Sequence, residues 1–154
     1  MSSLIQSDSP RVLVIENDDV LRMMLFTVLQ HQALGVDTAT DAMHALEKVR
    51  QCDYAMIVID LHDPQTDAAH FLETFREERP GATTCILGVR HPDDDAVFDP
   101  SLLSATMTKP LEIDTLAEIV RECAHVVPAP EDPLPCPTAE NDARARLGRS
   151  LAPN

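Results

Sequence analysis

Short apolar runs alternate with stretches of helical periodicity from residue 11 onward. The runs at 12–15, 54–59 and 83–89 predict buried strands. A weaker run at 36–39 and a short one at 104–107 predict two more. The run at 54–59 is apolar throughout, as is typical of a parallel strand covered on both faces. The pattern therefore predicts five short strands separated by other elements.

Helical periodicity fills the first two gaps between these strands. Apolar pairs repeat between residues 20 and 29, and Gly35 is the expected stop of that helix. Thr40 or Asp41 is expected to cap the next helix. The residues expected on the buried face of this second helix are Met43, Leu46 and Val49.

The second half of the domain continues the alternation. A helix is predicted at 68–78, and the acids after His91 suit the first turn of a short one. A last helix is expected from Leu111 or Asp114 to His125. The residues expected to be buried on these helices are Phe71, Leu72, Phe75, Leu116, Ile119, Val120 and Cys123. Regular alternation with short connections predicts an α/β fold: an open five-stranded parallel sheet, doubly wound as (βα)5.

The chain divides into three parts. Residues 1–10 are a polar lead-in, and residues 11–127 form the folded domain. Residues 128–154 begin with five prolines between 128 and 138, which predicts an extended tether. The segment 139–151 carries three arginines and little apolar surface, so a disordered tail is the favoured expectation.

The charge excludes one class of partner. The formal net charge is −14, and such a surface repels nucleic acid backbones, so direct nucleic acid binding is not expected. No apolar stretch is long enough to span a bilayer, and the start lacks the features of a secretory signal, so a cytoplasmic location is the default. The cysteines are scattered, which argues against a disulfide framework or zinc site. Cys52, Cys85 and Cys123 are expected to be core thiols.

Acidic side chains follow two of the predicted strands at their carboxyl ends. Asp60 ends the strongest run, and Glu16, Asn17 and Asp18 follow the first run. Open α/β sheets bind ligands at this edge, so neighbouring strands would bring these groups together. Clustered carboxylates repel each other and have raised pKa values unless a cation balances them.

The chain resembles the receiver domain of two-component signalling over residues 11–127. The resemblance rests on the acids after the first strand, on Asp60 followed by Pro64 and Asp67, and on Lys109-Pro110 after the fifth strand. It implies the flavodoxin-like receiver fold. It also implies that Asp60 is a phosphoacceptor and that Lys109 supplies a positive charge beside the phosphoryl group. The Mg²⁺ ligands that it implies are Glu16, Asp60, Asn17 or Asp18, and the backbone carbonyl of His62.

Three positions at the implied metal site and relay depart from the pattern of that family. Asn17 stands at the second acidic position and removes one negative charge from the implied metal site. Val89 stands where the family expects a serine or threonine hydroxyl, and Thr106 where it expects an aromatic residue. Acceptor chemistry is therefore expected to be largely retained, whereas the hydroxyl–aromatic relay is missing.

The leading hypothesis is a single-domain response regulator rather than an enzyme, one that at most promotes its own phosphorylation and dephosphorylation. It would receive a phosphoryl group from a histidine kinase or phosphotransfer protein. It would contact a downstream protein through its fourth and fifth elements, as a monomer or weak dimer. One alternative is a pseudo-receiver that acts as a phosphorylation-independent adaptor. A distant one is a cobalamin or flavin carrier, because Asp60-Leu61-His62 begins the D-x-H-x-x-G pattern, which fails at Gln65.

Overall fold

The computed structural model describes residues 9–94 and 98–135, in which five strands alternate with four α-helices. The strands are β1 (Arg11–Ile15), β2 (Gly35–Ala39), β3 (Met56–Asp60), β4 (Cys85–Arg90) and β5 (Ala105–Thr108). The helices are α1 (Asp19–Gln30), α2 (Ala42–Val49), α3 (Ala68–Glu78) and α4 (Ile113–Val126). The predicted α/β class and the parallel five-stranded sheet are confirmed.

All neighbouring strands are parallel, in the order β2-β1-β3-β4-β5. Helices α2 and α3 contribute to the core on one face of the sheet, and α1 and α4 contribute to the core on the other. Strand β3 lies at the centre and every residue in it is buried, which explains its unbroken apolar run. The order of the strands reverses at β1 and β3, so the ligand-binding edge of such a sheet lies where these two strands end.

The connection between β4 and β5 departs from the regular alternation. Among the described residues it holds a turn after His91 and a 3-10 helix at Pro100–Leu102, with no α-helix. The predicted short helix is therefore not found at residues 91–94, and residues 95–97 lie outside the described part. Phe98, Leu102 and Leu103 pack against the core in this connection. Strand β5 remains mostly exposed at the edge of the sheet.

Two predictions about the first helices need correction. Gly35 does not stop α1, because that helix ends at Gln30 and Gly35 is the first residue of β2. The left-handed position after α1 is taken by Ala33, with φ 60°. Of the two proposed caps for α2, the structure selects Asp41, whose side chain accepts a hydrogen bond from the backbone N–H of His44 at 3.0 Å.

Two predicted core side chains are at the surface. Met43 is 73% exposed because α2 turns its alanines inward and buries Ala42 and Ala45 beside Leu46 and Val49. Ile119 is also exposed, since α4 buries Leu116, Ala117, Val120 and Ala124. Periodicity therefore identified the two helices but placed part of each buried face wrongly.

No helix in the described part of the chain has both the length and the apolarity needed to cross a membrane.

The prediction that Cys52, Cys85 and Cys123 are thiols holds for two of these three residues. Cys85 and Cys123 are free, but Cys52 takes part in a disulfide. The prediction of a thiol is therefore wrong for Cys52, and the argument against a disulfide framework did not anticipate this bond. Cys52 lies in the loop between α2 and β3, and spacing along the sequence does not reveal what the fold brings near that loop.

The start of the proline-rich segment lies against the domain. Thr83 donates its hydroxyl hydrogen to the carbonyl of Pro128 at 2.6 Å, and the backbone N–H of Leu134 donates to Asp53 Oδ2 at 2.7 Å. Arg79 donates both to Asp53 and to the carbonyl of Asp132. Up to residue 135 this segment is docked rather than free. The predicted tail segment 139–151 lies outside the described residues.

A partly buried polar network joins β1, β2 and Tyr54, which lies just before β3. Asp37 accepts two hydrogen bonds from Arg11, at 3.1 and 2.9 Å, and one from the hydroxyl of Tyr54 at 2.6 Å. Burial raises the pKa of Asp37, but the hydrogen bonds from Tyr54 and Arg11 outweigh it and hold that pKa below its ordinary value. The network therefore stabilises the fold while Asp37 is ionised.

We expect Tyr54→Phe to lower the free energy of unfolding at pH 7 by about 1–2 kcal/mol, because it removes a hydrogen bond to a charged group. A carboxyl whose folded-state pKa is lowered contributes stability above its unfolded pKa, near 3.8, and loses it as the pH falls through the folded value. The difference between variant and wild type should therefore shrink below about pH 4. Urea unfolding at both pH values measures this, and a difference independent of pH would contradict it.

Candidate functional site

Two acidic residues follow neighbouring strands at the carboxyl edge of the sheet. Ile15 of β1 lies opposite Ile59 of β3, so the next residues, Glu16 and Asp60, emerge side by side. Glu16 is 4% exposed and Asp60 is 3% exposed. The structure thus brings together two of the predicted site residues, and both are buried carboxyl groups.

The backbone of the following loop fixes the carboxylate of Asp60. The N–H of His62 donates to Oδ1 at 3.2 Å, and the N–H of Asp63 donates to Oδ2 at 3.1 Å. An aspartate at a strand end commonly accepts such bonds from the turn that follows it. Asp60 therefore has a fixed orientation with both oxygens held at the edge of the sheet.

The polar residues in the loop after β1 make different hydrogen bonds. Glu16 Oε2 accepts the backbone N–H of Asp18 at 3.0 Å. Asp18 is the cap of α1, because its Oδ1 accepts the backbone N–H groups of Val20 and Leu21 at 2.9 and 3.1 Å. Asp18 rather than Asn17 therefore caps this helix. Asn17 is half-buried beside Glu16.

Lys109 brings a positive charge to the two acids. Its backbone N–H donates to the carbonyl of Arg90 at 2.8 Å, which extends the pairing of β5 with β4, and the Lys109-Pro110 bond is cis. The Nζ atom lies 3.7 Å from Asp60 Oδ1 and 3.8 Å from Glu16 Oε1. The three predicted residues therefore converge on one pocket.

The pocket holds more negative than positive charge. Burial raises the pKa of Glu16 and the charge of Asp60 adds to this, whereas the N–H of Asp18 and the charge of Lys109 act in the opposite direction. The net pKa of Glu16 is above its ordinary value. A further cation in the pocket would therefore be favoured.

These residues fit a magnesium ion. Mg²⁺ is usually held by one or two carboxylates, together with waters and the phosphate of a ligand. Glu16 and Asp60 supply two such carboxylates. Within residues 9–94 and 98–135 no three acidic, histidine or cysteine side chains form a metal-binding group, so Glu16 and Asp60 are the two side-chain ligands that the pocket offers. Participation of Asn17 and of the His62 carbonyl stays a prediction.

The two positions expected to lack relay residues lie on β4 and β5. Val89 is buried and pairs with Asp60, and its carbonyl accepts the backbone N–H of Leu61 at 2.9 Å. Thr106 is exposed and pairs with Gly88. The strand position opposite the acceptor candidate therefore carries an apolar side chain.

Sequence reasoning missed one further feature of the site. The ring of His62 stacks on that of His91, with centroids 4.5 Å apart and an interplanar angle of 22°. The Nδ1 atom of His62 also lies 3.6 Å from Asp94 Oδ2. The sequence offered one signal. His62 stands two residues after Asp60, His91 stands two residues after Val89, and Asp60 pairs with Val89 in the sheet. That signal can be read only once the register of β3 and β4 is known.

A doubly wound parallel sheet with two acids and a lysine at its carboxyl edge is typical of phosphoacceptor signalling modules. The chain matches the model of the response regulator receiver domain over residues 12–121, and it belongs to that family. The receiver fold expected from the sequence is thereby confirmed.

Individual relatives agree with this assignment. The chain is 27% identical over 124 residues to the transcriptional regulatory protein TcrA of Mycobacterium tuberculosis, covering 80% of this chain and 49% of TcrA. It is 31% identical over 90 residues to a protein-glutamate methylesterase/protein-glutamine glutaminase of Anaeromyxobacter dehalogenans, covering 58% of this chain and 26% of that protein. The chain thus spans about half the length, or less, of these curated relatives.

Solved structures show the same fold. A CheY-like receiver domain protein of Methanospirillum hungatei has a TM-score of 0.67 at 15% identity, covering 77% of this chain and 96% of that one. The response regulator TrrA of Thermotoga maritima, in complex with Mg²⁺ and BeF, has a TM-score of 0.62 at 21% identity. The match covers 74% of this chain and 98% of TrrA.

We expect Lys109→Gln to lower the free energy of unfolding at pH 7. It leaves two buried acids without their nearby ammonium group, and the loss should be about 1–3 kcal/mol, between the values for exposed and fully buried ion pairs. Arg121→Gln removes a partly exposed charge on α4 and is the matched control. Urea unfolding that gives both variants the same stability would show that Lys109 does not offset the acids.

Proposed function

We propose that this receiver domain accepts a phosphoryl group on Asp60 from a histidine kinase or a phosphotransfer protein. The observation that carries the proposal is the convergence of Asp60, Glu16 and Lys109, with Nζ within 4 Å of both carboxylates. The further proposal is that the signal leaves through contact with a downstream protein.

In the proposed step, a carboxylate oxygen of Asp60 forms a bond to phosphorus. The bond between phosphorus and the leaving atom of the donor breaks, and that atom keeps the electron pair. Lys109 balances charge on the phosphoryl oxygens, and the two backbone N–H groups hold the carboxylate in place. Magnesium bound at Glu16 and Asp60 would supply further positive charge to the phosphoryl group.

An exposed apolar face beside the pocket supports a protein as the phosphoryl donor. Val20, Met23 and Met24 lie at the start of α1 and are 70%, 59% and 46% exposed. This helix begins directly after the loop that carries Glu16. Exposed apolar groups next to a reactive site are typical of a docking surface for another protein. We propose that the donor contacts this face while its phosphoryl group reaches Asp60.

The proposed output surface is the one formed by the fourth and fifth elements. Strand β5 is an exposed edge, and the connection before it contains no α-helix among the described residues. With Val89 opposite Asp60, the phosphoryl group would meet no hydroxyl at that strand position. Any change that reaches β5 would therefore use another route than the usual relay.

A second candidate function is a phosphorylation-independent adaptor with the receiver fold. The observation that favours it is the same buried Val89, together with Asn17 in place of a second acid. The two candidates differ in whether the protein gains a phosphoryl group, so one experiment separates them.

We expect the wild-type protein to gain one phosphoryl group when it is incubated with acetyl phosphate and Mg²⁺, and Asp60→Asn to gain none. The reason is that an amide lacks the nucleophilic carboxylate oxygen. Intact-mass spectrometry measures both. The control is Asp63→Asn, which changes a neighbouring acid whose Oδ1 accepts the N–H of Gln65 outside the pocket.

Each outcome of this experiment has a clear reading. A gain in wild type and in Asp63→Asn alone supports acceptance on Asp60. No gain in wild type overturns the acceptor proposal and favours the adaptor. An equal gain in Asp60→Asn assigns the phosphoryl group to another residue and also overturns it.

A further inference from the structure

The disulfide at Cys52 has one candidate partner within this chain. The sequence contains four cysteines, and Cys85 and Cys123 are free. Cys52 is disulfide-bonded and 5% exposed, in the loop that leads into β3. The remaining cysteine is Cys136, which directly follows the last described residue of the proline-rich segment. A bond between Cys52 and Cys136 would fasten that segment to the domain.

A hydrogen bond brings the chain close to Cys52 shortly before Cys136. Asp53, the neighbour of Cys52, accepts the backbone N–H of Leu134 at 2.7 Å through Oδ2. Two residues of extended chain reach at most about 7 Å. The Cα atoms of a disulfide are about 4.4–6.8 Å apart. The position of Leu134 therefore leaves Cys136 within reach of Cys52.

Two further side chains of the domain hold the same segment. Nη2 of Arg79 donates to Asp53 Oδ1 at 2.7 Å and to the carbonyl of Asp132 at 3.1 Å. The hydroxyl of Thr83 donates to the carbonyl of Pro128 at 2.6 Å. These contacts all precede the last cysteine and order the chain that leads to it. They therefore lower the entropic cost of closing a disulfide at this place.

The docked segment lies at the edge of the sheet opposite to Asp60. Cys52 and Thr83 precede β3 and β4, and the amino ends of parallel strands share one edge. Asp60 ends β3 at the other edge. A bond at Cys52 therefore acts on a surface that the phosphoryl pocket does not use, and it is independent of phosphoryl acceptance.

We propose that Cys52 and Cys136 form a redox latch, a reversible disulfide that holds residues 128–135 against the amino edge of the sheet. In its formation, one cysteine thiolate attacks a sulfur of oxidised glutathione and releases a glutathione thiolate. The second cysteine thiolate attacks the protein sulfur of this mixed disulfide and releases the other glutathione thiolate. The two cysteine protons pass to the released thiolates. Two protein thiols are thus oxidised and one small disulfide is reduced.

The first experiment identifies the bond. The full chain is equilibrated in a buffer of oxidised and reduced glutathione, free thiols are alkylated, and the protein is digested without reduction for mass spectrometry. We expect one linked peptide pair that contains Cys52 and Cys136, with Cys85 and Cys123 alkylated. If Cys52 is alkylated, or is linked to any other cysteine or to a second chain, the proposal is overturned.

The second experiment measures how the docked contacts support the bond. The ratio of oxidised to reduced protein in glutathione buffers gives the effective concentration of one thiol at the other. We expect Asp53→Ala to lower this concentration roughly 10-fold or more, because it removes the hydrogen bond between a carboxylate and the N–H of Leu134. Thr83→Val removes the hydroxyl bonded to Pro128 and should lower it by a smaller factor.

The matched control for Asp53→Ala is Asp93→Ala, which changes an acid whose side chain is 90% exposed, in the loop after β4. That loop lies at the opposite edge of the sheet, so the effective concentration should equal that of wild type. If Asp53→Ala and Thr83→Val also give the wild-type value, the docked segment does not support the bond and the latch is overturned.

The third experiment measures release of the segment. Cleavage after Glu131 by a glutamate-specific protease requires local opening of the docked chain. We expect reduction to speed this cleavage roughly 10-fold or more in wild type. Cys136→Ser should be cleaved at the reduced rate with or without oxidised glutathione. Cys123→Ser, which changes a free thiol on α4, should behave as wild type. Equal cleavage of oxidised and reduced wild type would contradict the latch.

Discussion

The structure depends on two carboxylates that are buried side by side and balanced by one ammonium group. Glu16 and Asp60 are each less than 5% exposed, and burial of like charges is unfavourable unless hydrogen bonds and a cation offset it. Backbone N–H groups of the two following loops supply the hydrogen bonds, and Lys109 supplies the charge. The sheet has to keep β1 beside β3, and β5 has to end where Lys109 reaches both acids. The connection between β4 and β5 is free to vary as long as β5 remains paired, which fits its lack of an α-helix in the described residues.

The part of this arrangement that follows from local sequence could be predicted. A buried parallel strand is apolar along its whole length, so the first polar residue after it marks the edge of the sheet, as at Glu16 and Asp60. The buried faces of the helices were harder to predict, because α2 turns small alanines inward and leaves Met43 exposed to solvent. Hydropathy favours the larger apolar residue, whereas close packing of a helix on a sheet favours the smaller one. Ala33 illustrates the same limit, since it takes a left-handed position that glycine usually occupies.

Two features that depend on distant parts of the chain were not predicted. The stack of His62 on His91 requires the register of β3 against β4, and no local pattern encodes that register. The docking of the proline-rich segment requires Asp53 and Arg79 to present a carboxylate and a guanidinium group to backbone atoms of Leu134 and Asp132. Proline predicts an extended backbone but does not say which surface that backbone meets. Extended segments satisfy few of their own backbone groups, so a folded surface with free donors and acceptors decides where they lie.

Acceptance of a phosphoryl group and transmission of that event are physically separable in this pocket. Acceptance requires a nucleophile and nearby positive charge, and these come from the ends of β1, β3 and β5. Transmission requires a group that moves when the phosphoryl oxygens arrive, and the position opposite Asp60 on β4 carries the buried side chain of Val89, which donates no hydrogen bond. If Asp60 accepts the phosphoryl group as proposed, the groups that remain to contact the phosphoryl oxygens are Lys109 and the backbone N–H groups of the loop after β3.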